Sequence, residues 1–198
     1  MMKRMFFLAA CLTAMQAMAT PVDDLLERID KGASKKFKIE LKKSEGDFFE
    51  LDQQGTRPVV RGNTWVNIAV GINWYLKYHA GVHLSWNQMQ APLPAVLPRV
   101  TQKERHDTGL TLRYAFNYCT FSYSMAFWDW QRWEREIDWL ALHGVNLPLA
   151  IVGEECVWRN MLLRLGYSED EIGQFIAGPA FLAWWEMNNL EGWGGPLP

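Results

Sequence analysis

The chain has 198 residues, 49% of them hydrophobic and 21% charged, which is a globular composition with room for one large domain or two small ones. A formal charge of −2 without a basic stretch lacks the electrostatic footprint of a nucleic-acid-binding protein, so no nucleic-acid partner is expected. No apolar run approaches the ~18 residues that a membrane-spanning helix requires, so no transmembrane segment is expected either.

The N-terminus reads as a secretory signal. Lys3-Arg4 is a short positive region, Met5 to Leu12 is apolar, and Ala17-Met18-Ala19 is a small-residue cleavage pattern. Leu8-Ala9-Ala10-Cys11 also fits a lipoprotein box, but cleavage there leaves a signal of only ten residues, so cleavage after Ala19 is preferred. The expected location is therefore secreted or periplasmic. Losing Lys3 and Arg4 takes the charge from −2 to −4. Cys119 and Cys156 then remain. They are expected as two buried free thiols, with pairing left open, because neither they nor His79, His83, His106 and His143 show metal-ligand spacing.

Residues 20–97 read as a small α/β domain. Val22, Leu25, Leu26 and Ile29 recur at helical spacing, and Phe37 to Leu41 alternates as a half-buried strand does. Phe49-Glu50-Leu51 and Val59-Val60-Arg61 flank a Gln53-Gln54-Gly55 turn. Asn63 or Thr64 caps a helix with Trp65, Ile68, Ile72, Tyr75 and Leu76 on one face, closed by Gly81. Val82 to Trp86 reads as a further strand, with His83 as a structural histidine. Pro92, Pro94 and Pro98 lead into a linker over 98–109.

From residue 110 the pattern becomes strand, helix, strand, helix. Leu112 to Tyr118 is β-type. Asp129 caps a helix through Leu142, with Trp133, Ile137 and Leu140 facing inward and the Arg132/Glu136 pair facing outward. Val145 to Val152 predicts a strand covered on both faces. Ser168 and Glu171 form a capping box, and Gly178-Pro179 separates two further helices. This is βαβ logic with parallel strands. Residues 110–198 therefore predict the first βα units of a TIM-type (β/α)8 barrel. A full barrel needs ~250 residues, and Gly192-Trp193-Gly194-Gly195-Pro196-Leu197-Pro198 reads as a loop, so the barrel is expected to be incomplete here.

Eight of the eleven Trp fall between Trp128 and Trp193. Such density beside Asn, Glu and Gly points to a sugar-binding surface, since indole faces stack on pyranose rings. Glu154 and Glu155 follow the second barrel strand, where carboxylates meet ligands in such folds. Adjacent residues diverge, however, so one capping a helix and the other solvated is an equal reading. Asn117 ends the first strand and offers an amide to a sugar hydroxyl; the alternative is a turn residue bonding its own backbone, disfavoured because Tyr118, Cys119 and Thr120 lack turn character. Of Trp184 and Trp185, one is expected in the core and one against a pocket. Asp129, Glu134, Glu136 and Asp138 read as a solvated face or as ion pairs.

At Asn117-Tyr118-Cys119-Thr120, Ser122-Tyr123-Ser124, Trp128-Asp129-Trp130, Arg132 to Trp139 and Gly178 to Trp184 the sequence closely resembles the α-N-acetylglucosaminidases of glycoside hydrolase family 89. Val59-Val60-Arg61-Gly62 and the His83 segment resemble that family's N-terminal domain. The resemblance implies a retaining exo-glycosidase acting on glycans with terminal α-linked N-acetylglucosamine. It also implies two catalytic glutamates on later barrel strands, with no match in this chain, so this chain alone is expected to be inactive. It carries over Asn117, Cys119, the Glu154-Glu155 region, Trp184, Met187 and Asn189 as substrate-binding positions; where the family has Gln-Glu, only Glu155 keeps the residue type. No cofactor is implied, because two carboxylates suffice for double displacement. A non-catalytic glycan-binding protein and a non-functional remnant are the alternatives.

Overall fold

A computed structural model describes residues 19–178 and 180–187. The signal-peptide reading falls almost wholly outside these residues.

The small domain is a four-stranded sheet covered by two helices. Helix α1 (Pro21–Ile29) starts at a complete capping box: the Thr20 hydroxyl accepts from the Asp23 amide, and the Asp23 carboxylate accepts from the Thr20 amide. Its Val22, Leu25, Leu26 and Ile29 are buried, as their spacing predicts. Strands β1 (Lys38–Leu41), β2 (Asp47–Gln54) and β3 (Arg57–Gly62) follow, then helix α2 (Trp65–Tyr78), whose first turn is capped by the Thr64 hydroxyl. The sheet order is β1-β3-β2-β4, with β1 parallel to β3 and the other pairs antiparallel. Helix α2 lies so close to the sheet that a Cβ on Gly71 would sit 2.7 Å from Val60 Cγ1. Ile68, Ile72, Tyr75 and Leu76 are fully buried against Leu26, Leu51 and Val60.

Two expectations are corrected here. Val82 to Trp86 is not a strand; it makes only an isolated bridge between Ser85 and Gln88, and His83 is exposed. The fourth strand is instead β4 (Glu104–Thr108), inside the stretch expected to be linker. The pattern was misleading because ERHDT has no apolar alternation. The strand is held at the edge of the sheet by pairing with β2 and by Glu104, which accepts from His79 at 2.7 Å and His106 at 2.9 Å.

The second unit contains β5 (Tyr114–Ala115), α3 (Trp130–Leu142), β6 (Leu147–Pro148), α4 (Glu154–Arg164), α5 (Glu169–Phe175) and α6 (Leu182–Glu186). β5 and β6 pair in parallel, as the βαβ reading requires. They are much shorter than the predicted Leu112–Tyr118 and Val145–Val152 runs. Each has one partner strand among the described residues, so Leu147 and Val152 remain exposed instead of being covered on both faces. Asp129 caps α3 and Ser168 caps α5, both as predicted.

Helix α3 docks onto α2; Leu140 is buried and Trp133 half-buried as expected, but Ile137 and Glu136 depart from expectation. Ile137 is 48% exposed, whereas Glu136 is 2% exposed and Asp138 is buried. The buried carboxylates are paired across the domain boundary: Arg28 donates to both Asp138 oxygens at 2.6 and 2.7 Å. A second tie is Arg113, which donates to Asp47 at 2.7 Å and to Asn67 at 3.1 Å. Asp47 is held below its ordinary carboxylate range by Asn63 and by the Arg113 guanidinium. Gly144, with φ of +82°, closes α3 where a Cβ would meet Val70 at 3.2 Å.

Candidate functional site

The carboxyl ends of β5 and β6 are fastened to α6 by one apolar cluster. Phe121, Met125, Ile151 and Ala183 are buried together, with Phe116, Tyr118, Trp128, Trp133 and Leu149 packed around them. Phe116 leaves β5 with φ of +75°, the single non-glycine residue in the left-handed region among those described. That conformation costs a bulky L-residue ~1–2 kcal/mol, so the surrounding packing must hold it.

Asn117 then caps a short 3-10 helix, Tyr118–Ser122: its side-chain oxygen accepts from the Thr120 amide at 3.0 Å and from the Thr120 hydroxyl at 2.8 Å. The expectation that Tyr118, Cys119 and Thr120 lack turn chemistry is therefore corrected, because Thr120 supplies it. Asn117 is exposed nonetheless. Cys119 is half-buried and Cys156 exposed, both as free thiols, which corrects the reading of two buried thiols.

Helix α6 packs on this 3-10 helix and delivers the next residues. Trp185 is buried edge-on against Trp158 and Phe175, so it is the core member of the Trp pair. Trp184 is half-buried and meets Tyr123 edge-on at 6.3 Å between ring centroids. Met187 is exposed just beyond the helix. Asn189 lies outside the described residues.

Glu154 and Glu155 occupy the first turn of α4, where the positive end of the helix dipole favours them. The cap is Gly153 with φ of +87°, so neither glutamate serves as the N-cap. Glu154 faces Glu186, a residue the sequence reading passed over. Both Glu186 carboxylate oxygens are covered from solvent without a well-aligned hydrogen-bond partner, and Glu154, Trp158 and Tyr118 surround them. Burial first, and the neighbouring Glu154 carboxyl second, push Glu186 up to about 7. Burial and the same two glutamates raise the Tyr118 phenol. Raised to about 7, the Glu186 carboxyl is protonated for part of the time near neutrality and can then donate as well as accept. The one signal in the sequence was the position of Glu186 directly after the Trp pair.

The structure thus brings Asn117, Cys119, Glu154 and Trp184 to one end of β5 and β6, joined by Tyr118 and Glu186. Cavities of about 570, 440 and 180 Å3 are lined by other residues, the largest by α1, the Asn87–Gln90 segment and α3. The described residues hold no cluster of metal ligands.

A small α/β domain docked on parallel βα units, with aromatic, amide and carboxyl groups at the strand ends, is the arrangement from which (β/α)8-barrel enzymes build their sites. Two family models match, the α-N-acetylglucosaminidase (NAGLU) N-terminal domain over residues 20–99 and the α-N-acetylglucosaminidase (NAGLU) tim-barrel domain over residues 113–198. The chain is 48% identical over 153 residues to α-N-acetylglucosaminidase of Homo sapiens, covering 77% of this chain and 21% of that protein. It superposes with a TM-score of 0.80 and 39% identity on a family 89 glycoside hydrolase from Clostridium perfringens in complex with 2-acetamido-1,2-dideoxynojirmycin, covering 89% of this chain and 21% of that one. A second Clostridium perfringens structure, with two glutamates replaced by glutamine and in complex with its substrate GlcNAc-alpha-1,4-galactose, matches with a TM-score of 0.80 at 40% identity over 89% of this chain and 20% of that one. The chain belongs to the α-N-acetylglucosaminidase family, glycoside hydrolase family 89, and spans about a fifth (21%) of its relatives' length.

Proposed function

We propose that this chain supplies the small domain and one side of the substrate pocket of an exported α-N-acetylglucosaminidase. That enzyme removes terminal α-linked N-acetylglucosamine from glycans with retention of configuration. The observation that carries the reading is the convergence of Asn117, Tyr118, Cys119, Glu154, Trp184 and Glu186 at the carboxyl ends of two parallel strands. Trp184 offers an aromatic wall and Asn117 a polar group on the same side. The substrate and the inhibitor seen in the Clostridium perfringens relative are both of the N-acetylhexosamine type, which supports the substrate class.

The chemistry itself is assigned to residues other than these. Retaining glycosidases place two carboxyls ~5–5.5 Å apart on either side of the scissile bond. Glu154 and Glu186 instead act on each other as neighbouring carboxyls, Glu154 raising Glu186, and are not assigned as that pair. The isolated chain is therefore proposed to bind the terminal sugar weakly and not to cleave it. Incubation with an aryl α-N-acetylglucosaminide tests this. No release of the phenol above a blank is expected; turnover abolished by Glu155→Gln or Glu186→Gln would overturn the assignment.

Export is part of the proposal, with cleavage after Ala19. N-terminal sequencing of the exported protein should begin at Thr20, which the structure places at the helix cap of α1. A lipid-modified Cys11 would show the lipoprotein route instead.

A further inference from the structure

Phe116 holds a backbone conformation that its side chain disfavours, one residue before Asn117. An unbroken series of ring contacts leads from it to the other domain. Phe116 packs edge-on against Phe121 at 5.7 Å, and Phe121 stacks with Trp133 at 6.1 Å. Trp133 meets Trp128 at 4.9 Å, and the Arg132 guanidinium lies 3.8 Å from the Trp128 ring centre. The other side of the series is Trp86, in the small domain, with its ring centre 4.8 Å from the same guanidinium. Glu136 closes the arrangement: its Oε2 accepts from the Trp86 indole N–H at 2.8 Å and pairs with Arg132 at 2.9 Å. Arg135 donates to the Trp86 carbonyl.

We infer that the small domain holds the strained Phe116–Asn117 strand end in place through a clamp of Trp86, Arg132 and Glu136, making these three positioning residues for the sugar-facing loop. Arg132 suits the role because a guanidinium is planar, weakly hydrated and able to stack on an indole while its edge pairs with a carboxylate. Glu136 suits it because a carboxylate with a side chain only 3% exposed must keep its donors, which fixes the angle at which Trp86 meets α3. A small domain that merely covers α3 would need apolar contact there, not a buried acid shared by two domains. A spatial series of contacts is not by itself evidence of coupling, so the test measures coupling directly.

Hydrogen exchange on the full chain supplies the test, with three variants. Trp86→Phe keeps an aromatic face, though a smaller one, and deletes the N–H donor. Arg132→Lys keeps the charge and loses the planar stack. Arg28→Lys loosens the other interdomain tie, to Asp138, without touching the ring series. The first two should speed exchange over residues 117–127 roughly tenfold, in line with the loss of one desolvated cation–π or charged hydrogen bond. Helix α2 and strand β3 should keep wild-type protection, and Arg28→Lys should leave residues 117–127 unchanged. The inference is overturned if residues 117–127 keep wild-type protection in Trp86→Phe and Arg132→Lys. It is equally overturned if Arg28→Lys accelerates them as much, or if protection is lost through the whole small domain. The inference concerns the same site as the proposed function, but exchange is read without ligand. Absence of N-acetylglucosamine binding by the wild-type chain would sink the function and leave the clamp standing.

Discussion

Replacing Glu186 by Gln should make the protein more stable at pH 8 and remove one step from its pH–stability curve. The carboxyl titrates at about 7 in the folded chain against an ordinary value of 4.5, through its burial first and Glu154 second. Below pH 4.5 both folded and unfolded chains carry the proton, and the contribution is full. Between about 4.5 and 7 the unfolded chain releases it while the folded chain retains it, so stability falls as pH rises. Above 7 the folded chain must hold the ionised form and the loss is complete. The full displacement corresponds to about 3 kcal/mol. The side chain as a whole is half-buried, so solvent screening reduces this to ~1–2 kcal/mol. Urea denaturation of wild type and Glu186→Gln at pH 4.5 and pH 8 measures it: the variant should gain ~1–2 kcal/mol over wild type on going from the lower to the higher pH. Because Glu154 is one of the causes raising Glu186, Glu154→Gln should move the wild-type step to lower pH. A variant-minus-wild-type difference that does not change with pH, or changes with the opposite sign, would refute the reasoning.

Further outcomes follow from packing and exposure. Gly71→Ala should destabilise by ~1–3 kcal/mol in thermal denaturation, because its Cβ would press on Val60 Cγ1 at 2.7 Å. Ile72→Ala, at a fully buried core position, should cost ~2–5 kcal/mol in the same assay. Asp138→Ala should cost ~1–3 kcal/mol by leaving Arg28 without its paired acceptor, with the loss read at the interdomain contact by exchange in α3. Light scattering should find the isolated chain associated or aggregating, since Leu147, Val152, Val157, Leu165, Phe175 and Phe181 are exposed; a monodisperse monomer with strong amide protection across residues 145–152 would contradict this.

Local pattern determined most of the small domain and several helix starts. Val22, Leu25, Leu26 and Ile29 name their own helix because a 3.6-residue period admits one burial face. Thr64, Asp129 and Ser168 mark helix starts because each satisfies an amide that the helix cannot. The long motifs around Asn117, Trp128 and Trp184 carried the family, while the strand-helix-strand-helix pattern carried the parallel βα arrangement. The rest was decided between elements distant in sequence. β4 exists because β2 offers an edge to pair with, although ERHDT has no strand pattern. Glu136 and Asp138 are buried because Trp86 and Arg28, from the small domain, bring donors to them; on α3 alone they read as a solvated face or as ion pairs, and neither their burial nor these partners could be named. Glu186 is pushed up to about 7 only where α6 folds back against Glu154 and Tyr118. Periodicity reports which side of a segment is apolar, but the energy of a charge depends on its partners, and those are set by the tertiary fold.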